Sequence, residues 1–490
     1  MNQFYIKGDK ILKEISFNRR VIVGVLLAAA FVALLNQTLL IVAIPPIMGE
    51  FGIDPNQAQW VTTGFMLMNG IMIPITAFLI EKFSSKALLI FAIAIFSLGT
   101  FMGAVAPNFG ILLTARIIQA MGAGILMPLM QTVMMTVYPP EKRGAAMGMG
   151  GLVIGFAPAI GPTLSGWIID HFTWRHLFYT VLPFTIIVLV LAIFLMKNVT
   201  QQKVVKVDIL SVVLSSFGWG GLLYGFSMVG SAGWESPFVI ASILIGGVTL
   251  TLFIRRQNQL ENPMLNFKVF QYREFTITTI LGALMFALLI GIETLLPLYI
   301  QNVREGSALQ SGMILLPGAI ITGAMSPIAG RMYDRFGARG MAIIGFSATL
   351  AATILYMNIA IETSIPFIAV IFALKMLGFS LLMTPLMTSG INALPFGLIA
   401  HGTAMNNTIR MIGGSIGTAL LISVMSMSSK VSASADEALS MLDGIQTAFI
   451  VAAMMALTGL IISFFLTKKS NQLSSRDVVD GNLEVDSDIT

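Results

Sequence analysis

Gly151-Leu-Val-Ile-Gly-Phe-Ala-Pro-Ala-Ile-Gly-Pro-Thr-Leu-Ser-Gly166 is the stretch from which the rest of the chain can be read. It lies inside an apolar run, residues 145–169, long enough to cross a bilayer. Glycines at 151, 155, 161 and 166 and prolines at 158 and 162 would break a helix in water. Inside a bilayer the backbone has no water to bond, so the helix persists, bent and packed closely against a neighbour. A pliable helix with a bare surface suits a bundle whose two halves must rock past each other.

The remainder of the chain has the same character. Of 490 residues, 56% are hydrophobic and 10% charged, against ~25% charged in soluble domains. Mean hydropathy is +0.88. The composition is that of an all-α polytopic membrane protein. A net charge of +5 is small; it reflects membrane topology and implies no nucleic-acid partner. The absence of cysteine excludes disulfides, thiol nucleophiles and Cys-ligated metals. His171, His176 and His401 have no metal-site spacing, so no metal or other cofactor is expected. There is no phosphate-binding Gly-x-x-x-x-Gly-Lys loop and no nucleophile elbow. The reading is therefore not an enzyme, and the energy source is an ion gradient rather than ATP. The amino terminus is polar and basic up to Arg20, and the first apolar run is a full span rather than a cleavable signal.

Fourteen transmembrane helices are expected, at 21–44, 58–80, 87–106, 111–137, 145–169, 177–196, 209–229, 237–254, 275–300, 310–330, 341–361, 366–391, 403–428 and 446–467. An even number puts both termini on one side. Loops and tails on that side hold 22 Lys and Arg; the opposite side holds Arg175, Arg304 and Lys430. Positive charge stays inside, so both termini are expected in the cytoplasm.

An internal repeat divides the chain. Glu81-Lys82 after the second span recurs as Asp334-Arg335 after the tenth, 253 residues on, and Pro128-Leu-Met recurs as Pro385-Leu-Met, 257 residues on. Two six-helix halves would repeat at roughly 200 residues, so the surplus fits two inserted helices. The expected organisation is a cytoplasmic segment at 1–20, an N-terminal six-helix half at 21–196, two inserted helices at 208–254, a pseudo-symmetric C-terminal half at 275–467 and an acidic, disordered cytoplasmic tail at 468–490.

These motifs resemble the fourteen-span drug:proton antiporter branch of the major facilitator superfamily, over nearly the whole chain. Gly330-Arg-Met-Tyr-Asp334-Arg335-Phe-Gly337-Ala-Arg339 is similar to that family's Gly-x-x-x-Asp-Arg-x-Gly-x-Arg loop, and Ala77–Lys86 is a degenerate copy with Glu81, Lys82 and Ser84 at its key positions. Arg116-Ile-Ile-Gln119-Ala-Met-Gly122 resembles the fourth-helix Arg-x-x-Gln-Gly motif. The run Gly151, Gly155, Pro158, Gly161, Pro162, Gly166 resembles the fifth-helix antiporter motif. Leu35-Asn36-Gln37-Thr38 resembles the first-helix motif but carries Asn36 where the family has an acid, as in its lincomycin-resistance-type subgroup. A proton role for that acid is not transferable.

Charges within spans mark the expected mechanism, because a charge at mid-bilayer costs ~2.5–3.5 kcal/mol even on the lenient insertion scale. Glu293 is the acid deep in a span, expected to bind and release the coupling proton; the plainer reading is a structural acid with one polar partner. Arg116, by resemblance, takes part in coupling, or else staples helix ends through carbonyls. Lys375 is read as snorkelling or as the second-half counterpart of Arg116, and Arg410 as reaching the cytoplasm. Asn36, Gln37, Gln59, Trp60, Asn69, Gln119 and Gln131 are candidates to line the cavity, and Glu81, Lys82, Asp334, Arg335 and Arg339 to fasten the cytoplasmic gate.

The resemblance implies proton-coupled efflux of lipophilic, often cationic drugs across the bacterial cytoplasmic membrane by alternating access. The expected partners are those compounds, protons and the lipid bilayer; an accessory membrane-fusion protein is not implied. A dedicated exporter of an endogenous metabolite, lipid or signalling molecule is the open alternative, and a non-transporting membrane sensor a remote one.

Overall fold

The computed structural model describes residues 18–40, 43–53, 55–200, 202, 208–306, 308–431 and 436–467. The expected terminal segment up to residue 17 and the acidic tail from 468 lie outside the described residues. Fifteen α-helices account for nearly all of what is described, with no strand among the described residues. In order they are α1 (Arg19–Leu39), α2 (Ile44–Phe51), α3 (Pro55–Lys82), α4 (Ser85–Ala104), α5 (Phe109–Val137), α6 (Arg143–His171), α7 (Arg175–Leu195), α8 (Ile209–Ala232), α9 (Pro237–Gln259), α10 (Arg273–Leu298), α11 (Ala308–Phe336), α12 (Ala338–Tyr356), α13 (Ile365–Asn392), α14 (Ile399–Val431) and α15 (Glu437–Ser463). Among the described residues, thirteen helices are long and apolar enough to cross a membrane. They correspond to all of the long helices except α6, the Gly/Pro-rich one. That helix runs unbroken for 29 residues, ~43 Å at 1.5 Å per residue.

Two large apolar cores organise these helices. One is built mainly from α1 and α3–α7, around residues such as Phe96, Leu129 and Phe178. The other is built from α10–α13, with α14 and α15, around Phe346, Phe372 and Phe449. A third cluster joins α3, α8, α9, α10 and α14 through Phe78, Trp219, Phe253, Phe275 and Met405. The cores meet along two seams. At one, α6 lies against α11; at the other, α3 lies against α14 with α8 packed on both.

Prolines inside helices show how the bilayer rule is met. Pro128 in α5 has no N–H, which leaves the Gly124 carbonyl without its helical donor. The Thr76 hydroxyl on α3 donates to that carbonyl at 3.2 Å. The two tight turns of the repeat differ for a backbone reason. Gly337, ahead of α12, has φ +78°, which favours glycine. Ser84, ahead of α4, has φ −65° and caps that helix by accepting from the Ala87 N–H at 3.2 Å. Serine at the usual glycine is thus an N-cap rather than a degraded turn.

Candidate functional site

The first polar centre lies in the N-terminal core. Arg116 sits seven residues into α5 with no exposed surface. Its Nη1 donates to Asn36 Oδ1 of α1 at 2.6 Å and to Gln119 Oε1 at 2.7 Å; its Nε donates to the Val61 carbonyl of α3 at 3.2 Å. The guanidinium stacks 4.2 Å from the Phe65 ring centre, and Gln119 donates onward to Thr100 of α4 at 2.8 Å. Four helices are thereby tied to one cation, every acceptor is neutral, and Nη2 has no partner. Asn36 and Gln119, expected on a cavity wall, are fully buried as ligands of Arg116.

The second centre lies in the C-terminal core. Lys375 on α13 is 2% exposed and donates from Nζ to the Leu289 carbonyl of α10 at 3.2 Å, with the Phe372 ring 5.0 Å away. It does not snorkel, because the lysine faces inward across the helix pair. Glu293, one turn beyond Leu289, is partly exposed. Arg410 on α14 also stays inside, 4% exposed, instead of reaching the helix end. It lies over Phe286 at 4.1 Å and reaches the Met387 sulfur at 3.7 Å, and its Nε has no partner. Among the described residues none of these three buried cations makes an ion pair. Between the two helix sets, Gln131 of α5 accepts from Asn407 of α14 at 2.5 Å.

Two fastenings close one end of the bundle. Asp334, at the end of α11, accepts from the backbone N–H groups of Gly144 (2.9 Å) and Ala145 (2.8 Å) at the start of α6. An anion at a helix N-terminus meets free N–H groups and the positive end of the dipole, so the contact is charge-assisted. Arg143 Nη1 donates to Asn392 (2.8 Å), and Asn392 donates to the Tyr333 hydroxyl (3.2 Å), joining α6, α13 and α11. At the other seam Glu81 of α3 lies 3.3 Å from His401 Nε2 of α14. His401 Nδ1 accepts from the Asn266 N–H, so Nε2 carries the proton that faces Glu81. Both acids therefore make contacts across the seams. Arg335 lies over Phe336, Lys82 lies over Phe78 and Phe83, and Arg339 is the partly exposed second residue of α12.

The remaining expected residues are dispersed. Gln37 is partly exposed on α1. Trp60 stacks on Tyr224 of α8 at 5.8 Å. Asn69 packs against Gly124. The side chains of Gln59, Pro158 and Pro162 lie outside the described residues. The glycines of α6 do divide the labour. A Cβ at Gly155 would stand 2.7 Å from the Gly323 nitrogen, and one at Gly151 2.8 Å from Ser326 Cβ, so both hold α6 backbone-close to α11. Gly161 faces Thr38 of α1, and nothing lies near Gly166. His401, Asn392, Tyr333 and Arg143 were not singled out by sequence. Only Arg143, opening the helix after a proline pair, carried any local signal.

Two separately cored sets of membrane-length helices, joined along two seams that carry polar contacts, are the architecture of a polytopic membrane transporter. Residues 26–418 match the Major Facilitator Superfamily, to which the chain belongs. It is 60% identical over 457 residues to the Bacillus subtilis MFS-type transporter YcnB, covering 93% of this chain and 97% of that protein. It is 39% identical over 453 residues to the lincomycin resistance protein LmrB of Bacillus subtilis, covering 90% and 95%. In fold it is similar to the human organic anion transporter MFSD10 (TETRAN), with a TM-score of 0.65 at 13% identity, over 91% of this chain and 99% of that one. The superfamily comprises transporters, not enzymes.

Proposed function

We propose that this protein exports lipophilic small molecules, lincomycin-type antibiotics among them, from the bacterial cytoplasm in exchange for protons. The observation that carries this reading is Glu293, a partly exposed acid in the interior of a membrane-spanning helix, one turn from the carbonyl that the buried Lys375 binds, in a chain so similar to a protein named for lincomycin resistance. The α6 helix serves as a fourteenth span. The chain then forms two pseudo-symmetric six-helix halves, 21–196 and 275–467, with α8 and α9 inserted between them and both termini cytoplasmic. In that orientation the Asp334 and Glu81 fastenings close the cytoplasmic side, and drug entry requires them to open. The proton gradient supplies the energy, with no other cofactor.

The test is uptake of ethidium and radiolabelled lincomycin into inside-out vesicles, with and without an imposed acid-inside pH gradient. Uptake that depends on the gradient and on the protein is expected. Uptake indifferent to the gradient would overturn proton coupling, and no uptake of either compound would overturn this substrate class.

A further inference from the structure

The geometry points to Glu293 and Lys375 together as the proton-binding site, the charged C-terminal counterpart of the neutral Asn36–Arg116 pair, with Lys375 as the residue that positions Glu293. The inference rests on the proton-antiport reading above and goes beyond it, because it moves coupling away from Arg116.

The register of the repeat supports the correspondence. Glu293 stands 257 residues after Asn36, the same offset that relates Pro128 to Pro385, and Lys375 stands 259 after Arg116. Each pair joins the same kind of helices. Arg116 of α5 reaches Asn36 of α1, and Lys375 of α13 reaches α10 at Leu289, one turn from Glu293. The chemistry has diverged within that shared geometry. Asn36 cannot titrate, and an arginine does not give up its proton. Glu293 can take a proton, and Lys375 is a compact charge on a flexible stem that can change partners.

Local structure leaves the Lys375 side chain room to move. Lys375 and Thr349 border a cavity of about 10 Å³, the size of a single water. Pro297 lacks the N–H that would bond the Glu293 carbonyl, and the helix continues into a wide π turn at Tyr299–Val303. The Glu293 carbonyl is thus left without its regular helical donor. Lys375 is the charged group bonded one turn from Glu293. The other charges on the surrounding helices lie farther along. Arg410 of α14 is at Phe286, two turns away. Arg331, Asp334, Arg335 and Arg339 lie where α11 ends and α12 begins, Lys430 is in the last turn of α14 and Asp443 near the start of α15.

The cycle follows from these groups. A proton entering from outside binds the Glu293 carboxylate, and Lys375 rests on the Leu289 carbonyl, the arrangement in this structure. When that proton leaves to the cytoplasm, the carboxylate draws the Lys375 ammonium across, shifting α13 against α10. Lys375 keeps its three protons throughout.

The experiment compares wild type, Lys375→Met, Lys375→Arg, Glu293→Gln and Glu293→Gln/Lys375→Met in the vesicle assay, with ethidium binding to the purified full chain followed against pH. Lys375→Met is expected to lower gradient-driven uptake by about 10-fold and to move the pH of half-maximal binding upward by about one unit, because a cation that favours the carboxylate is gone. Lys375→Arg should keep the wild-type midpoint to within about half a unit, since the charge remains. The double variant should be no worse than Glu293→Gln alone. An unchanged midpoint in Lys375→Met, or a double variant far worse than Glu293→Gln, overturns the pairing while the exporter reading stands. Gradient-independent uptake by wild type overturns the antiport reading itself. Should Lys375→Met fail to insert, the double variant is expected to insert, and its failure as well would overturn the pairing.

Discussion

The buried cations Arg116 and Lys375, one from each polar centre, are held differently. Arg116 is held by Asn36, Gln119 and Val61 from three helices, stacked on Phe65 and sealed from solvent. Lys375 is held by one backbone carbonyl, beside a water-sized cavity and one turn from an accessible acid. The first arrangement fixes a helix interface; the second leaves a choice of partner. The contrast teaches that a buried charge by itself does not mark a coupling site. On the proposed reading, what sets Lys375 apart is a titratable group one turn from its single hydrogen-bond acceptor.

The comparison can be broken most directly at Glu293. Glu293→Gln is expected to reduce gradient-driven uptake on the order of 10-fold or more while drug–drug exchange stays within about 2-fold, since only the proton limb is lost. Loss of both in parallel would make Glu293 a structural acid. Arg116→Gln should act on folding instead. Removing it leaves buried acceptors unpaired, about 1–3 kcal/mol for such groups, seen as a lower thermal midpoint of the purified protein. Uptake per folded molecule should fall by no more than about 3-fold, as for a stabilising rather than a coupling residue. A collapse of uptake without loss of stability would erase the distinction.

Asn36→Asp sharpens it. The new acid would face Arg116 without access to solvent, so it should not rescue gradient dependence in a Glu293→Gln background. Rescue would show that chemistry alone, not access, separates the centres. At the gate, Asp334→Asn removes a charge from the α6 N-terminus, about 1 kcal/mol. That is an equilibrium shift of roughly 5-fold toward the cytoplasm-open state. Because the chain has no cysteine, labelling of a single introduced cysteine near Asn392 reads this cleanly.

The smallest effect is expected outside both centres, at Asp208. Arg256 hydrogen-bonds this carboxylate at 2.6 and 3.0 Å and holds its pKa at about 2, below the ordinary aspartate value. A depressed pKa stabilises the fold above the unfolded-state value, ~4, and the stabilisation is lost as pH falls from there toward 2. The pair is partly exposed, so wild type should exceed Asp208→Asn by under ~1 kcal/mol at pH 7. The difference should vanish in acid, as thermal melts at the two pH values would show.

How much was legible can be argued from individual residues. The apolar runs gave the helices because a span is a length-and-composition property. Even α6 proved continuous through its prolines, as a bilayer requires. The repeated acid–base turns were also legible, but their partners were not. Asp334 binds backbone N–H groups 190 residues away, and Glu81 meets His401 across a seam. Backbone donors carry no residue signature, and a lone histidine announces nothing. By sequence Lys375 is read as snorkelling or as the counterpart of Arg116, and Arg410 as reaching the cytoplasm. Both turn inward, because the neighbouring helix surfaces offer a carbonyl, aromatic rings and a sulfur.

The sequence by itself determined the class of protein, the helices, the offset between the repeats and the identity of the one deep acid. These depend on hydrophobic run length and on residue chemistry, both written locally. Tertiary structure decided which cation is held from several helices and which by a single carbonyl, which acids fasten which seam, and that α8 straddles α3 and α14. Those outcomes depend on which helix faces meet, and a pairing between surfaces hundreds of residues apart is fixed only when the helices pack.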